Sequence, residues 1–173
     1  MAAAERLRQG IRALTAFTRP VDYPLVEAYL NPAQRVLFRR MKRAEQQHSI
    51  AILRDLLAEA PVPPDLAVAA LLHDVGKTRY PLAVWMKTET VLLKALAPAV
   101  ARRWTDGDPH NWLKRGLVVS KHHPAWSVAL VQPTAATALA LWLIQHHQSR
   151  AADLQAHPGY PLLLRLQRAD DAN

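Results

Sequence analysis

Apolar residues recur at three- and four-residue intervals through most of the chain, and no stretch alternates with a period of two between turn signals, so the pattern predicts helices throughout. From Ala3 to Phe17, the residues Leu7, Ile11, Leu14 and Ala16 fall on or near one face, and Arg19-Pro20 stops the run. A second short helix is expected from Asp22 to Leu30. Asn31-Pro32 reads as an N-cap followed by proline at the first helical position. Val36, Leu37, Met41, Ala44, His48, Ala51 or Ile52, and Leu56 then continue as one long stripe, on which His48 falls. Pro61-Val62-Pro63-Pro64 ends that helix. Asp65 is the expected cap of the next, which runs through Leu66, Ala69 and Leu72 to His73-Asp74.

Tyr80-Pro81 marks the exit from that segment. Leu82 to about Ala97 is helical, with a kinked continuation past Pro98 to Trp104. Residues 105–111 form a loop, Trp112 to about Lys121 a helix, and Pro124 to Val131 a separate one. The next helix starts at Gln132-Pro133-Thr134 and carries Leu139, Leu141, Trp142 and Ile144 to His146-His147. Residues 148–161 read mostly as loop, and Leu162 to about Asp171 closes the chain as a helix. The expected fold is therefore all-α, a compact helical bundle. Its 173 residues suit a single domain, 1–173, in which helices of residues 1–30 pack onto a core of 31–173.

Composition narrows the chemistry. The chain has no cysteine, which removes disulfides, thiolate metal sites and cysteine nucleophiles and leaves His, Asp and Glu as the strong ligands. A formal net charge of +8 favours anionic ligands. Arg39, Arg40, Lys42 and Arg43 form the densest basic cluster, and Arg6, Arg8, Arg12 and Arg19 another; both read first as solvated helix faces. Aromatics are not interleaved with these charges as on a single-strand platform, so nucleic acid is not an expected partner. No apolar run is long enough to span a bilayer, and the opening Met-Ala-Ala-Ala-Glu-Arg-Leu-Arg lacks a signal peptide's apolar segment, so the expected location is cytoplasmic.

The stretch Ala69 to Lys77 stands out because an apolar helical run ends in a histidine, a carboxylate, a glycine and a lysine. His73 and Asp74 offer a nitrogen and an oxygen ligand to one divalent ion. Gly76 is expected to let the chain leave the helix, and Lys77 adds a cation at the same edge. His48, His123, His147 and Asp170 also lie at helix ends or on apolar stripes. A lone histidine on an apolar face is ordinarily a core residue with one hydrogen bond. Several such groups converging from successive helices are how bundles build metal sites.

These residues resemble the HD-domain superfamily of metal-dependent phosphohydrolases, whose pattern is a helical histidine, a His-Asp doublet and a distant aspartate. His48 in Glu45-Gln46-Gln47-His48-Ser49 looks like the first histidine, Leu72-His73-Asp74-Val75-Gly76-Lys77 the doublet, and Gln167-Arg168-Ala169-Asp170 the closing aspartate. Lys121-His122-His123-Pro124 and Ile144-Gln145-His146-His147-Gln148 look like the additional histidines of two-metal members. The resemblance implies an HD-type bundle in which His48, His73, Asp74 and Asp170 hold one ion, while Asp74 bridges to a second held by His123 and His147. His122, His146 and Asp171 compete with their neighbours for these places. Glu45 or Gln148 are candidates to fix the second ring nitrogen of a ligand histidine. Loop residues His110 and His157 are not expected ligands, and Trp126 is a candidate for the substrate mouth.

The activity so implied is that of a metal-dependent phosphoric ester hydrolase acting on a phosphomonoester or phosphodiester, with a nucleotide as first candidate. Asp74 and Lys77 would be its catalytic residues. One or two divalent ions are implied, among manganese, iron, nickel, cobalt, zinc and magnesium. A di-iron oxygenase on the same scaffold and a non-catalytic regulatory or interaction module with a retained metal site are the alternatives. Gly159-Tyr160-Pro161 echoes the cyclic-di-GMP phosphodiesterase branch, but Gln148 stands in place of its acid and the tripeptide lies too far along the chain.

Overall fold

The computed structural model describes residues 20–173, so the helix expected over 3–17 and the basic cluster Arg6 to Arg19 lie outside the described residues. Among the described residues there are nine α-helices and no strand: α1 (Tyr23–Tyr29), α2 (Pro32–Arg40), α3 (Arg43–Glu59), α4 (Pro64–Leu72), α5 (Val84–Leu96), α6 (Pro98–Trp104), α7 (Trp112–Val131), α8 (Ala138–His146) and α9 (Tyr160–Ala172). Three 3-10 turns, Val75–Arg79, Gln132–Thr134 and Ala151–Leu154, join them.

The fold is built around α4. Leu66, Ala67, Ala69, Ala70, Leu71 and Leu72 are all 0% exposed, so from Leu66 onward this helix has no solvent face. A helix apolar on every side must be sheathed. Helices α1, α2, α3, α8 and α9 pack around it, and Val26, Leu37, Phe38, Leu53, Leu143, Ile144, Leu163 and Leu166 complete the core. At its start Pro63, not Asp65, occupies the cap position; Asp65 lies inside the first turn and accepts a hydrogen bond from the Thr137 hydroxyl at 2.5 Å. Arg165 on α9 donates to the carbonyls of Leu56, Ala60 and Pro61, closing the end of α3 and the proline-rich connection.

Several helix boundaries differ from the sequence expectation, each for a local reason. The long helix expected through residues 36–56 is broken at Met41 and Lys42, whose ψ angles of 149° and 147° are extended. Met41 turns into the core, Gln46 Nε2 donates to the Phe38 carbonyl at 2.9 Å, and Glu45 accepts the Lys42 backbone N–H at 3.3 Å. The break shifts the helical phase, leaving Val36 52% exposed while Leu37 is buried. Conversely, Trp112 to Val131 is one helix with Pro124 inside it, where the sequence pattern predicts two. An internal proline costs about 3 kcal/mol. Buried His123 and Ser127 hold the chain on either side of it.

The helix expected from Gln132 instead begins at Ala138. Ala135 takes a left-handed φ of 57°, and the Thr137 side chain accepts the Ala140 N–H as the true cap. Residues 148–161 contain the turn Ala151–Leu154, and α9 starts at Tyr160 rather than Leu162. His157 stacks on Trp142 with ring centroids 3.7 Å apart, which fastens this connection to α8. Among the described residues no helix is long and apolar enough to cross a membrane.

Candidate metal centre

Helix α4 delivers His73 and Asp74 at its C-terminal end. His73 is the C-cap, and its Nδ1 donates to the Ala70 carbonyl at 3.0 Å. The same device recurs twice: His147, capping α8, donates from Nδ1 to the Ile144 carbonyl at 2.8 Å, and His123 in α7 donates to Val119 at 2.9 Å. A carbonyl only accepts, so each of these contacts puts a proton on Nδ1 and turns Nε2 toward the centre. All three rings are buried. The backbone therefore fixes the orientation of these three rings.

The three Nε2 atoms converge with two carboxylates. Asp74 Oδ1 lies 3.2 Å from His123 Nε2, whereas Oδ2 lies 3.6 Å from His73 Nε2 and 2.6 Å from Lys77 Nζ. His123 and His147 bring their Nε2 atoms to 3.1 Å of each other, and His73 Nε2 has no hydrogen-bond partner despite complete burial. On the more open side, His48 of α3 and Asp170 of α9 meet at 2.9 Å, and Asp170 Oδ1 is 3.8 Å from His73 Nε2. Three overlapping triads have ligand atoms within 4.8 Å of one another: His48 with His73 and Asp74, His73 with His147 and Asp170, and Asp74 with His123 and His147.

The electrostatics favour a cation. Burial pushes the His73 and His147 imidazoles toward their neutral forms, outweighing the attraction of nearby carboxylates. Burial alone would raise Asp74, but the Lys77 ammonium and the adjacent imidazoles hold it well below the usual carboxylate range. Burial opposes the Lys77 charge as well, yet Asp74 keeps that amine protonated above its ordinary range. Asp170 is similarly held low against burial by the hydrogen bond from His48. Helices α4 and α8 both end here, so both present partial negative charge to the centre. The Nε2 atoms of His123 and His147, 3.1 Å apart, need a proton or a metal ion between them. With His147 resisting protonation, His/Asp groups so arranged could hold a metal ion.

All six residues predicted as ligands are thus brought together: His48, His73, Asp74, His123, His147 and Asp170. The alternatives are turned elsewhere. His122 contacts the Thr105 carbonyl at 3.1 Å and Asp106 at 3.3 Å, and His146 contacts Ser149 Oγ at 3.1 Å. Lys77 is placed at the site, with its amine on Asp74. Gly76 does not provide a left-handed exit; no glycine among the described residues has positive φ. It permits close approach instead. A Cβ on Gly76 would run into the His123 carbonyl and lie 2.6 Å from Ser127 N.

Two further residues position the centre. Ser127 Oγ accepts the Gly76 N–H at 2.8 Å and donates to the His73 carbonyl at 2.6 Å, fastening the doublet to α7. Its sequence signal is a small polar residue one helical turn after His123, on the same face. Gln167 Nε2 donates to the carbonyls of His146 and Ser149, securing the chain on either side of His147. A comparison with protein-family models, curated proteins and solved structures finds no match to the chain.

Proposed function

We propose that the chain is a metal-dependent phosphoester hydrolase of the HD type. The observation that carries this reading is the ligand-rich shell, in which three imidazole Nε2 atoms held by backbone contacts meet two carboxylates and the two oxygens of Asp74 address different histidines. His48, His73, Asp74 and Asp170 would hold one divalent ion, and Asp74, His123 and His147 a second. Such ions supply Lewis acidity toward a phosphoryl group and lower the pKa of water.

The chain's own residues supply position and charge. The carbonyls of Ala70, Val119 and Ile144 fix the rings, so little reorganisation is needed on binding. Lys77 orients Asp74 through Oδ2 and places a positive charge at the rim, where a phosphoryl oxygen would approach. The +8 net charge favours approach of an anionic substrate.

The test is elemental analysis of purified protein combined with turnover of p-nitrophenyl phosphate, bis-p-nitrophenyl phosphate and a nucleotide panel in added manganese. Chelator-sensitive turnover that is lost in Asp74→Ala is expected. Metal-loaded protein that turns over no phosphoester, or bound iron with an oxygen-dependent spectral change in place of hydrolysis, would overturn the proposal.

A further inference from the structure

Helices α5 and α6 stand apart from the core. No described side chain of either belongs to the cluster around α4, and the pair packs on α7 instead. There Met86 and Thr90 close on Gly116, and Lys94 Nζ donates to Ser120 Oγ at 2.6 Å. At 3.6 residues per turn, Met86 and Thr90 share the face turned to α7, which puts Val91, Leu92, Ala95 and Leu96 on the opposite side. The exposures agree: Met86 and Thr90 are 6% and 9% exposed, whereas Val91 is 66%, Leu92 53% and Leu96 80% exposed. Ala99 and Val100 continue the exposed apolar residues into α6.

The chemistry of this face selects its partner. From Val91 to Ala101 the chain reads Val-Leu-Leu-Lys-Ala-Leu-Ala-Pro-Ala-Val-Ala, in which Lys94 alone has a polar side chain, and its amine is engaged by Ser120. A folded protein partner is recognised through a polar rim around buried anchors, and this stretch offers no such rim. The charge flanking it has one sign: between Leu82 and Trp104 the sequence sets Lys87, Lys94, Arg102 and Arg103 against Glu89. Arg102 and Arg103 are exposed in the last turn of α6, and neither forms an ion pair among the described residues. A second copy related by a two-fold axis would bring its own arginines to the same interface. The segment before residue 20, with Arg6, Arg8, Arg12 and Arg19, carries that sign too. A lipid surface bearing negative headgroups satisfies both features, taking up the aliphatic side chains and attracting the arginines.

We propose that the outer face of α5 and α6 is a docking surface for an anionic lipid membrane. Val91, Leu92, Leu96 and Val100 enter the boundary between headgroups and acyl chains, and Arg102 and Arg103 meet lipid phosphates. Neither helix is long and apolar enough to cross a bilayer, so the protein lies on one leaflet. The proposal is independent of the chemistry at the metal centre.

The experiment floats the full chain with vesicles of phosphatidylcholine alone and of phosphatidylcholine mixed with phosphatidylglycerol. Native protein is expected to float with the mixed vesicles, more weakly as salt is raised. The double variant Leu92→Ser/Leu96→Ser, which leaves the charge unchanged, should lower the partition coefficient by at least about tenfold. Arg102→Ala and Arg103→Ala should lower it by about fivefold each. All four positions are exposed, and melting curves verify folding. Val36→Ser, at a 52% exposed position on α2, should partition as native protein does. Native protein that floats with neither vesicle, a double variant that floats as native protein does, or an equal loss in Val36→Ser overturns the proposal. So does light scattering that finds a dimer dissociated by the double variant, which would give the face to a second copy.

Discussion

Removing one hydroxyl, in Ser127→Ala, should damage both the fold and the metal centre. The side chain is 0% exposed and makes two bonds, accepting from Gly76 N at 2.8 Å and donating to the His73 carbonyl at 2.6 Å. The variant leaves a buried donor and a buried acceptor unpaired, at about 1–3 kcal/mol each, so about 3 kcal/mol is expected after partial relaxation. For a chain of this size that corresponds to a Tm lowered by about 6–12 °C. The His73 carbonyl belongs to the residue whose Nε2 faces the centre, so metal affinity should fall as well, by about tenfold to 100-fold, as for other groups that orient ligands. Urea denaturation gives the first quantity and isothermal titration with manganese or zinc the second. A loss below about 1 kcal/mol, or unchanged metal affinity in a destabilised variant, would refute the idea that this hydroxyl couples α7 to the doublet.

Three other outcomes follow from the same geometry. A divalent ion at about 100 times its Kd should stabilise the protein by about 2.7 kcal/mol, seen as a rise in Tm that chelator reverses; an unchanged melting curve with every metal tried would contradict the ligand-shell reading. The metal-free protein should lose stability as pH falls below about 6.5, by up to about 1.4 kcal/mol per unit for each histidine involved. The sign follows because His73 and His147 are held below their ordinary range when folded, so the unfolded chain binds more protons there. Denaturation midpoints that stay flat from pH 7.5 to 5 would rule this out. His123→Ala should abolish metal-dependent stabilisation, whereas His122→Ala, whose ring faces Thr105 and Asp106, should retain it; thermal shift with and without metal decides.

The polar landmarks of the site were legible in the sequence because each interrupts an apolar pattern: His73 and Asp74 end a helix with no polar face, and His48, His123 and His147 sit where Leu or Ile would otherwise serve. Their convergence in space required the structure, as did the roles of Ala70, Val119 and Ile144, which act through backbone carbonyls that any residue carries. Helix boundaries failed where tertiary contacts override local signals. Pro124 reads as a break, yet buried His123 and Ser127 keep α7 continuous. No proline or glycine announces the break at Met41-Lys42, which depends on a buried methionine and on Gln46 capping the Phe38 carbonyl. In the sequence Gly76 signals backbone freedom, but what its position demands is the absence of a side chain against α7.

The pairing of His48 with Asp170 bridges 122 residues, and the remaining candidate ligands come from α7 and from the ends of α4 and α8 between them. No local fragment can present the complete set. Closing such a loop is entropically costly and comes late in folding. An ion bound there would act on the finished chain rather than seed it. Stopped-flow measurements should accordingly find refolding rates indifferent to metal and unfolding rates slowed by it, making the centre a kinetic lock on the native state.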